Sequence, residues 1–130
     1  MFKYLTRSHF YQTDAMGIIH HANYVLYFEE ARVAWVRQQA FYSGGEWFDK
    51  INFPVLSCEV QYKKPVYFDD ELEITVEVSK KGATLIFNYT LVTNRFPNPA
   101  AFGKTTHAIM DMEKRLPIRI PAEILAALKP

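Results

Sequence analysis

Between Tyr11 and Arg32 the chain reads Y-Q-T-D-A-M-G-I-I-H-H-A-N-Y-V-L-Y-F-E-E-A-R, and its reactive side chains gather there. Asp14 stands three residues before Gly17, and His20 and His21 follow just ahead of an apolar run opened by Asn23. A helix N-terminus carries unsatisfied N–H groups and positive dipole character, so it can hold negative charge that builds up on a substrate oxygen. A carboxylate beside it could attack a carbonyl or activate a water. The plain alternative for Asp14 is an Asx turn, the common fate of Asp near Gly. Gly17 either lets backbone and ligand approach closely or forms an ordinary turn. His20 and His21, being adjacent, are expected to point in different directions, one orienting the nucleophile or a water and the other facing solvent. They lack the i, i+4 spacing of helical metal ligands and have no second cluster to work with, so no metal is expected.

Other candidates have simpler readings. His107 lies on a strand face with Thr105 and Ile109 and reads as structural. Cys58 sits in an alternating apolar stretch and reads as a buried small hydrophobe rather than a nucleophile. Glu29 has Val33 rather than a cation four residues on, so Glu29 and Glu30 read as solvated or paired, with a buried glutamate facing substrate as the alternative. The chain contains no G-x-S-x-G elbow, G-x-G-x-x-G or P-loop, which argues against a serine hydrolase, a Rossmann oxidoreductase and a nucleoside triphosphatase.

The elements that must position these residues follow from periodicity. Residues 2–10 predict a first strand, and residues 12–22 a loop. Asn23 is a candidate N-cap for a helix from Tyr24 to about Tyr42, where Gly and Pro are absent. Val25, Phe28, Ala31, Arg32 and Trp35 share one side of it, and apolar residues spread around the rest predict a buried helix. Ser43-Gly44-Gly45 would end it. Pro54 to Tyr67 alternates loosely. Glu71 to Val78 alternates strictly, with Leu72, Ile74, Val76 and Val78 inward. A glycine turn at Lys80–Ala83 leads to a return strand from Ala83 to Thr93, and Ala101 to Met112 predicts another. Pro121 opens a short helix over Ala122–Leu128. Strands segregated from one long helix mean an α+β fold of about five antiparallel strands around a central helix. The edges of such a sheet predict at least a homodimer.

Composition bounds the function. The 130 residues suit a single domain, 1–130, and 49% hydrophobic content with 15% aromatics excludes a disordered chain. A formal net charge of +1 without a basic stripe gives no footprint for nucleic acid. No apolar run approaches the ~18 residues of a membrane span, and the first residues lack a signal-peptide core. The single cysteine cannot form an internal disulfide. These features predict a cytoplasmic protein.

The motif Thr13-Asp14-Ala15-Met16-Gly17-Ile18-Ile19-His20-His21-Ala22-Asn23-Tyr24, followed by Phe28-Glu29-Glu30-Ala31-Arg32, closely resembles the signature of hotdog-fold acyl-CoA thioesterases. The nearest group is the 4-hydroxybenzoyl-CoA thioesterase-like family that includes the Tol–Pal-associated, YbgC-type enzymes. Tyr62-Lys63-Lys64-Pro65, Phe68-Asp69-Asp70, Thr106-His107-Ala108 and Arg115-Leu116-Pro117 extend the resemblance over nearly the whole chain. It implies a hotdog fold, a homodimer with active sites at the subunit interface, and often a homotetramer. The implied reaction is metal-free hydrolysis of an acyl-CoA to a free acid and coenzyme A, with coenzyme A part of the substrate and no separate cofactor. By position, Asp14 matches the family's catalytic aspartate. His21 matches the helix-start residue whose backbone N–H polarises the thioester carbonyl, its imidazole also taking part in the YbgC-like branch. Tyr24 matches an aromatic near the acyl pocket, with Gly17 at the substrate-binding turn, and Tyr27, Phe28 and Trp35 are further candidates to line that pocket. Gln12 stands where many relatives carry Asp or Glu, and Phe10 where YbgC-like members often have Tyr; both bear on water handling and substrate choice. The alternatives are hydrolysis of acyl groups on acyl carrier protein, for which a basic patch at the pocket mouth would speak, and a non-catalytic acyl-binding or scaffold hotdog protein.

Overall fold

The computed structural model describes residues 1–128, so Lys129 and Pro130, the end of the expected domain, lie outside the described residues. Five strands form one antiparallel sheet: β1 (Phe2–Arg7), β3 (Val55–Tyr62), β4 (Glu71–Lys81), β5 (Thr84–Thr93) and β6 (Ala101–His107), in the order β1-β4-β5-β6-β3. The long helix α1 (Ala22–Arg37) packs across the inner face against β1 and β4. The expected α+β arrangement is therefore present.

The strict alternation of β4 does what a half-buried strand requires: Leu72, Ile74 and Val76 are buried and Glu73 and Thr75 between them face outward. Register carries the same face across the sheet, pairing Ile74 with Leu91, Val76 with Tyr89 and Tyr89 with Gly103. The Phe28 ring of α1 stacks on Tyr89 at 4.7 Å, and Trp35 meets Phe87 edge-on at 5.5 Å. Gly103 lies directly beneath, where an added Cβ would collide with the Phe28 ring. The β4–β5 turn needs only Gly82 and Ala83, with Gly82 at φ +62°.

Several boundaries differ from the expectations, each for a local reason. The first strand ends at Arg7, because the Asp70 N–H that would continue the ladder turns to the Ser8 hydroxyl and the Tyr67 carbonyl, and Phe10–Gln12 then form a 3-10 turn. α1 starts at Ala22, so Asn23 is not its N-cap. The Asn23 amide instead donates to the carbonyls of Gln12 and His20. α1 stops at Arg37 rather than Tyr42, where the Gln39 side chain takes the Trp35 carbonyl and the backbone passes into turns. Its buried face is Tyr24, Tyr27, Phe28, Ala31, Trp35 and Val36, whereas Val25 and Leu26 are exposed.

The strand expected over Ala101–Met112 breaks at Ala108, whose N–H reaches the Pro54 carbonyl. The chain beyond it, β7 (Ile109–Asp111), joins β2 (Ile51–Asn52) and β8 (Leu116–Ile118) in a second, three-stranded sheet that periodicity does not announce. A short helix, α2 (Trp47–Lys50), precedes β2, and α3 (Ala122–Ala127) follows Pro121. Cys58 is exposed, not buried. It faces inward opposite Thr105, but β3 is an edge strand and α1 lies toward the other edge, so nothing among the described residues covers it.

Candidate active site

The loop between the 3-10 turn and α1 folds back on itself. Ile18 bridges to Tyr67, Thr13 bridges to Ile19, and the Ile19 N–H bonds the Val66 carbonyl at 2.7 Å. Gly17 makes the reversal at φ +80° and donates to the Asp14 carbonyl at 3.1 Å. Asp14 Oδ1 accepts the Met16 N–H at 2.8 Å, so Asp14 does form the Asx turn that was its plain reading. Its Oδ2 makes no hydrogen bond among the described residues. The same carboxylate thus shapes the loop with one oxygen and keeps the other available.

A cleft of about 300 Å³ opens beside it, with Asp14, His21 and Tyr24 in its lining. Met16, Ile18 and Pro65 give it apolar walls, and Tyr62, Lys63 and Lys64 close the side formed by the end of β3. The first N–H groups of α1 are partly used: Ala22 donates to His20 Nδ1 at 3.1 Å, Asn23 to the His20 carbonyl and Tyr24 to the His21 carbonyl. The His21 N–H has no partner among the described residues. One donor at the helix start therefore remains free on a residue that lines the cleft with Asp14.

Tyr62, quoted above only as part of a motif, belongs to this site. Its hydroxyl donates to the His21 carbonyl at 3.2 Å, and its ring meets those of Tyr24 and His21 edge-on at 4.9 and 6.3 Å. The signal for it was the aromatic ending an alternating strand before Lys63-Lys64-Pro65. Burial raises the Tyr24 and Tyr62 hydroxyls above the ordinary phenol value, so both remain neutral donors.

Other expected members lie elsewhere. Gly17 shapes the turn but is not in the cleft lining, and Tyr27, Phe28 and Trp35 are packed in the core. His20 and His21 do not point apart: their rings stack with centroids 4.3 Å apart and planes 26° from parallel, because the turn entering α1 brings them together. Glu29 does find an intrahelical cation, Arg32, at 3.9 Å and three residues on. Gln12 lies behind the site. It is 7% exposed, and its side-chain oxygen accepts from the Tyr27 hydroxyl at 2.6 Å and the His9 N–H at 2.9 Å. Phe10 is exposed and packs edge-on against Phe68 at 5.6 Å.

His107 is structural. Its Nδ1 lies 3.0 Å from the Phe53 carbonyl, which can only accept, so the proton sits there and Nε2 accepts from Thr105 at 2.7 Å. Burial is the main cause that lowers its pKa to about 4. A larger cavity of about 660 Å³ lies on the outer sheet face over Leu5, Glu73 and Val92, and holds neither Asp14 nor a helix start.

A family model described as the thioesterase-like superfamily matches residues 8–128. The chain belongs to the thioesterase-like superfamily. Among thioesterase-like relatives, the acyl-CoA thioester hydrolase YbgC of Escherichia coli O6:H1 is 31% identical over 132 residues, spanning 99% of this chain and 96% of that protein. The crystal structure of a hypothetical protein from Aquifex aeolicus is 32% identical and superposes with a TM-score of 0.87, covering 99% of this chain and 100% of that one. The structure of BH1999, a gentisyl-coenzyme A thioesterase, shares the fold with a TM-score of 0.86 at 23% identity, covering 98% and 99%. The sheet-and-helix arrangement is thus the hotdog fold of thioesterase-like proteins. No helix among the described residues is long and apolar enough to cross a membrane.

Proposed function

We propose that this protein is an acyl-CoA thioesterase that hydrolyses a thioester to a free carboxylic acid and coenzyme A in the cleft beside the α1 N-terminus. The observation that carries the reading is the meeting in one apolar-walled cleft of Asp14, with one oxygen unpartnered, and His21, with its N–H free. The full-length likeness to an acyl-CoA thioester hydrolase supports the substrate class. In the reaction the thioester oxygen accepts the His21 N–H, which stabilises the oxyanion as the carbonyl carbon becomes tetrahedral. Asp14 either attacks that carbon, expelling the thiolate of coenzyme A and leaving an anhydride that water opens, or removes a proton from an attacking water. Both routes consume one water and release acid and thiol. The protonated His21 imidazole gives the leaving thiolate its proton and regains one from the water that is consumed, and Tyr24 and Tyr62 flank the acyl group.

Asp14→Asn tests the reading, because asparagine keeps an acceptor for the Met16 N–H and removes the charge. Thiol release from a panel of acyl-CoAs should fall by ~100- to 10,000-fold, the usual cost of an essential base. Turnover at the wild-type rate would overturn the assignment. A wild-type protein that releases no thiol from any of them would mark it as a binding or scaffold protein.

Lys63 and Lys64 at the cleft speak for a second substrate class, acyl groups on acyl carrier protein, whereas Lys104 pairs across strands with Glu59 and Asn88 away from the cleft. A carrier-bound thioester turned over faster than the matching acyl-CoA would favour that reading. We also propose that the working unit is a homodimer, and in turn a homotetramer. The edge strand β3 supports this, since Leu56 is 61% exposed and Cys58 faces inward without cover.

A further inference from the structure

His20 lies outside the cleft lining, and no step above uses its ring. Yet it is among the most constrained residues of the loop. Its N–H donates to the Gln12 carbonyl at 2.8 Å, and its carbonyl accepts from the Asn23 N–H at 3.0 Å and the Asn23 side-chain amide at 3.2 Å. Gln12, in turn, is held by the Tyr27 hydroxyl of α1. The His20 ring is fixed as well. Nδ1 accepts the Ala22 N–H at 3.1 Å, so the proton of the neutral ring sits on Nε2. The ring replaces the N-cap side chain that α1 otherwise lacks.

His21 differs in one respect. Both residues are exposed, but the His21 ring makes no hydrogen bond among the described residues, and its neighbours are the stacked His20 ring at 4.3 Å and the Tyr62 edge at 6.3 Å. An exposed imidazole without a partner samples several rotamers, and a reacting group must be held close to one geometry.

We propose that His20 is a positioning residue: pinned by the Ala22 N–H, its ring is the platform that holds the His21 imidazole at the cleft. The inference rests on the reading of His21 as a participant in thioester hydrolysis. It assigns separable tasks to the two contacts of one ring, the hydrogen bond fixing the platform and the stack fixing His21.

Three substitutions separate them. His20→Ala removes both contacts, His20→Asn keeps a short acceptor for the cap, and His20→Phe keeps an aromatic face without the acceptor. With His20→Ala, kcat should fall by about tenfold at unchanged KM. His20→Asn should restore the melting temperature but not kcat, and His20→Phe should restore most of kcat at a lower melting temperature. The NMR signals of the His21 ring, displaced by the adjacent ring, should move in the Ala and Asn variants and stay near the wild-type position in the Phe variant. Wild-type kcat in His20→Ala, full recovery of kcat by His20→Asn, or a His21 signal indifferent to His20→Ala would each overturn the proposal. If the wild-type protein hydrolyses no thioester, the reading of His21 fails, while its ring signal still decides whether His20 holds it. Should His20→Ala not fold, the Asn and Phe variants carry the same comparison.

Discussion

Asp14 divides its carboxylate between a structural bond and an oxygen left without one, so its substitutions should separate stability from activity. Asp14→Asn keeps the bond to the Met16 N–H, and its melting temperature should stay at the wild-type value while turnover collapses. Asp14→Ala loses the bond as well and should cost about 1 kcal/mol of stability besides, read by urea denaturation. Tyr62 makes a gentler test. Its hydroxyl bonds the carbonyl of His21, the residue whose N–H is the free donor. Tyr62→Phe should lower kcat/KM by about 2- to 10-fold, the range of one ordinary hydrogen bond, without unfolding the protein. Asp14, Gly17, His20 and His21 were legible in the chain as a cluster. Tyr62 was not legible as a member of it, because it arrives from a strand some forty residues away.

At the scale of elements, the distance between α1 and the sheet is set by a single hydrogen atom at Gly103. The Phe28 ring occupies the place where any side chain would begin. Gly103→Ala must push the helix or the ring aside and should destabilise by about 1–3 kcal/mol, lowering the melting temperature by roughly 3–10 °C in a thermal scan. The strict alternation of β4 and the Gly82 turn were plain in the sequence, since one buried face and one tight reversal are local demands. The extent of α1 was not. Arg37 to Tyr42 is a permissible helix by composition, and the stop comes from Gln39 bonding the Trp35 carbonyl and from aromatic packing of Trp35 on Phe41. The split of the last long strand at Ala108 depends on the Pro54 carbonyl, a partner set by tertiary structure.

Across the whole molecule, a buried polar chain joins helix to sheet. Arg32 donates to the Tyr89 hydroxyl, Tyr89 lies 2.7 Å from the Thr105 hydroxyl, and Thr105 bonds His107, which ends on the Phe53 carbonyl. A protonated His107 would turn Nε2 into a donor and force the Thr105 hydroxyl to reverse, and burial opposes its charge. The sign follows from its pKa of about 4 against the ordinary 6.5: the unfolded chain binds this proton first. Stability from this group is fully present above about pH 6.5 and is lost as the pH falls toward 4, by roughly 2–3 kcal/mol. Denaturation midpoints should therefore fall across that window in the wild-type protein and less steeply in His107→Gln. Equal slopes in the two would mean that another group governs the acid limb.

The sequence by itself determined the α+β class, the helix and the strands with one solvated face, and the loop that carries Asp14, because periodicity, turn residues and motif spacing are properties of neighbours in the chain. It also carried the likeness to thioesterases, which is most specific in that same loop and helix. Tertiary structure alone decided what surrounds those residues. It brought Tyr62 to His21, stacked two histidines expected to diverge, committed Gln12 to the Tyr27 hydroxyl, and left Cys58 uncovered at a sheet edge. Each of these outcomes depends on a partner distant in sequence or on the bend of the chain in space, which local pattern does not encode.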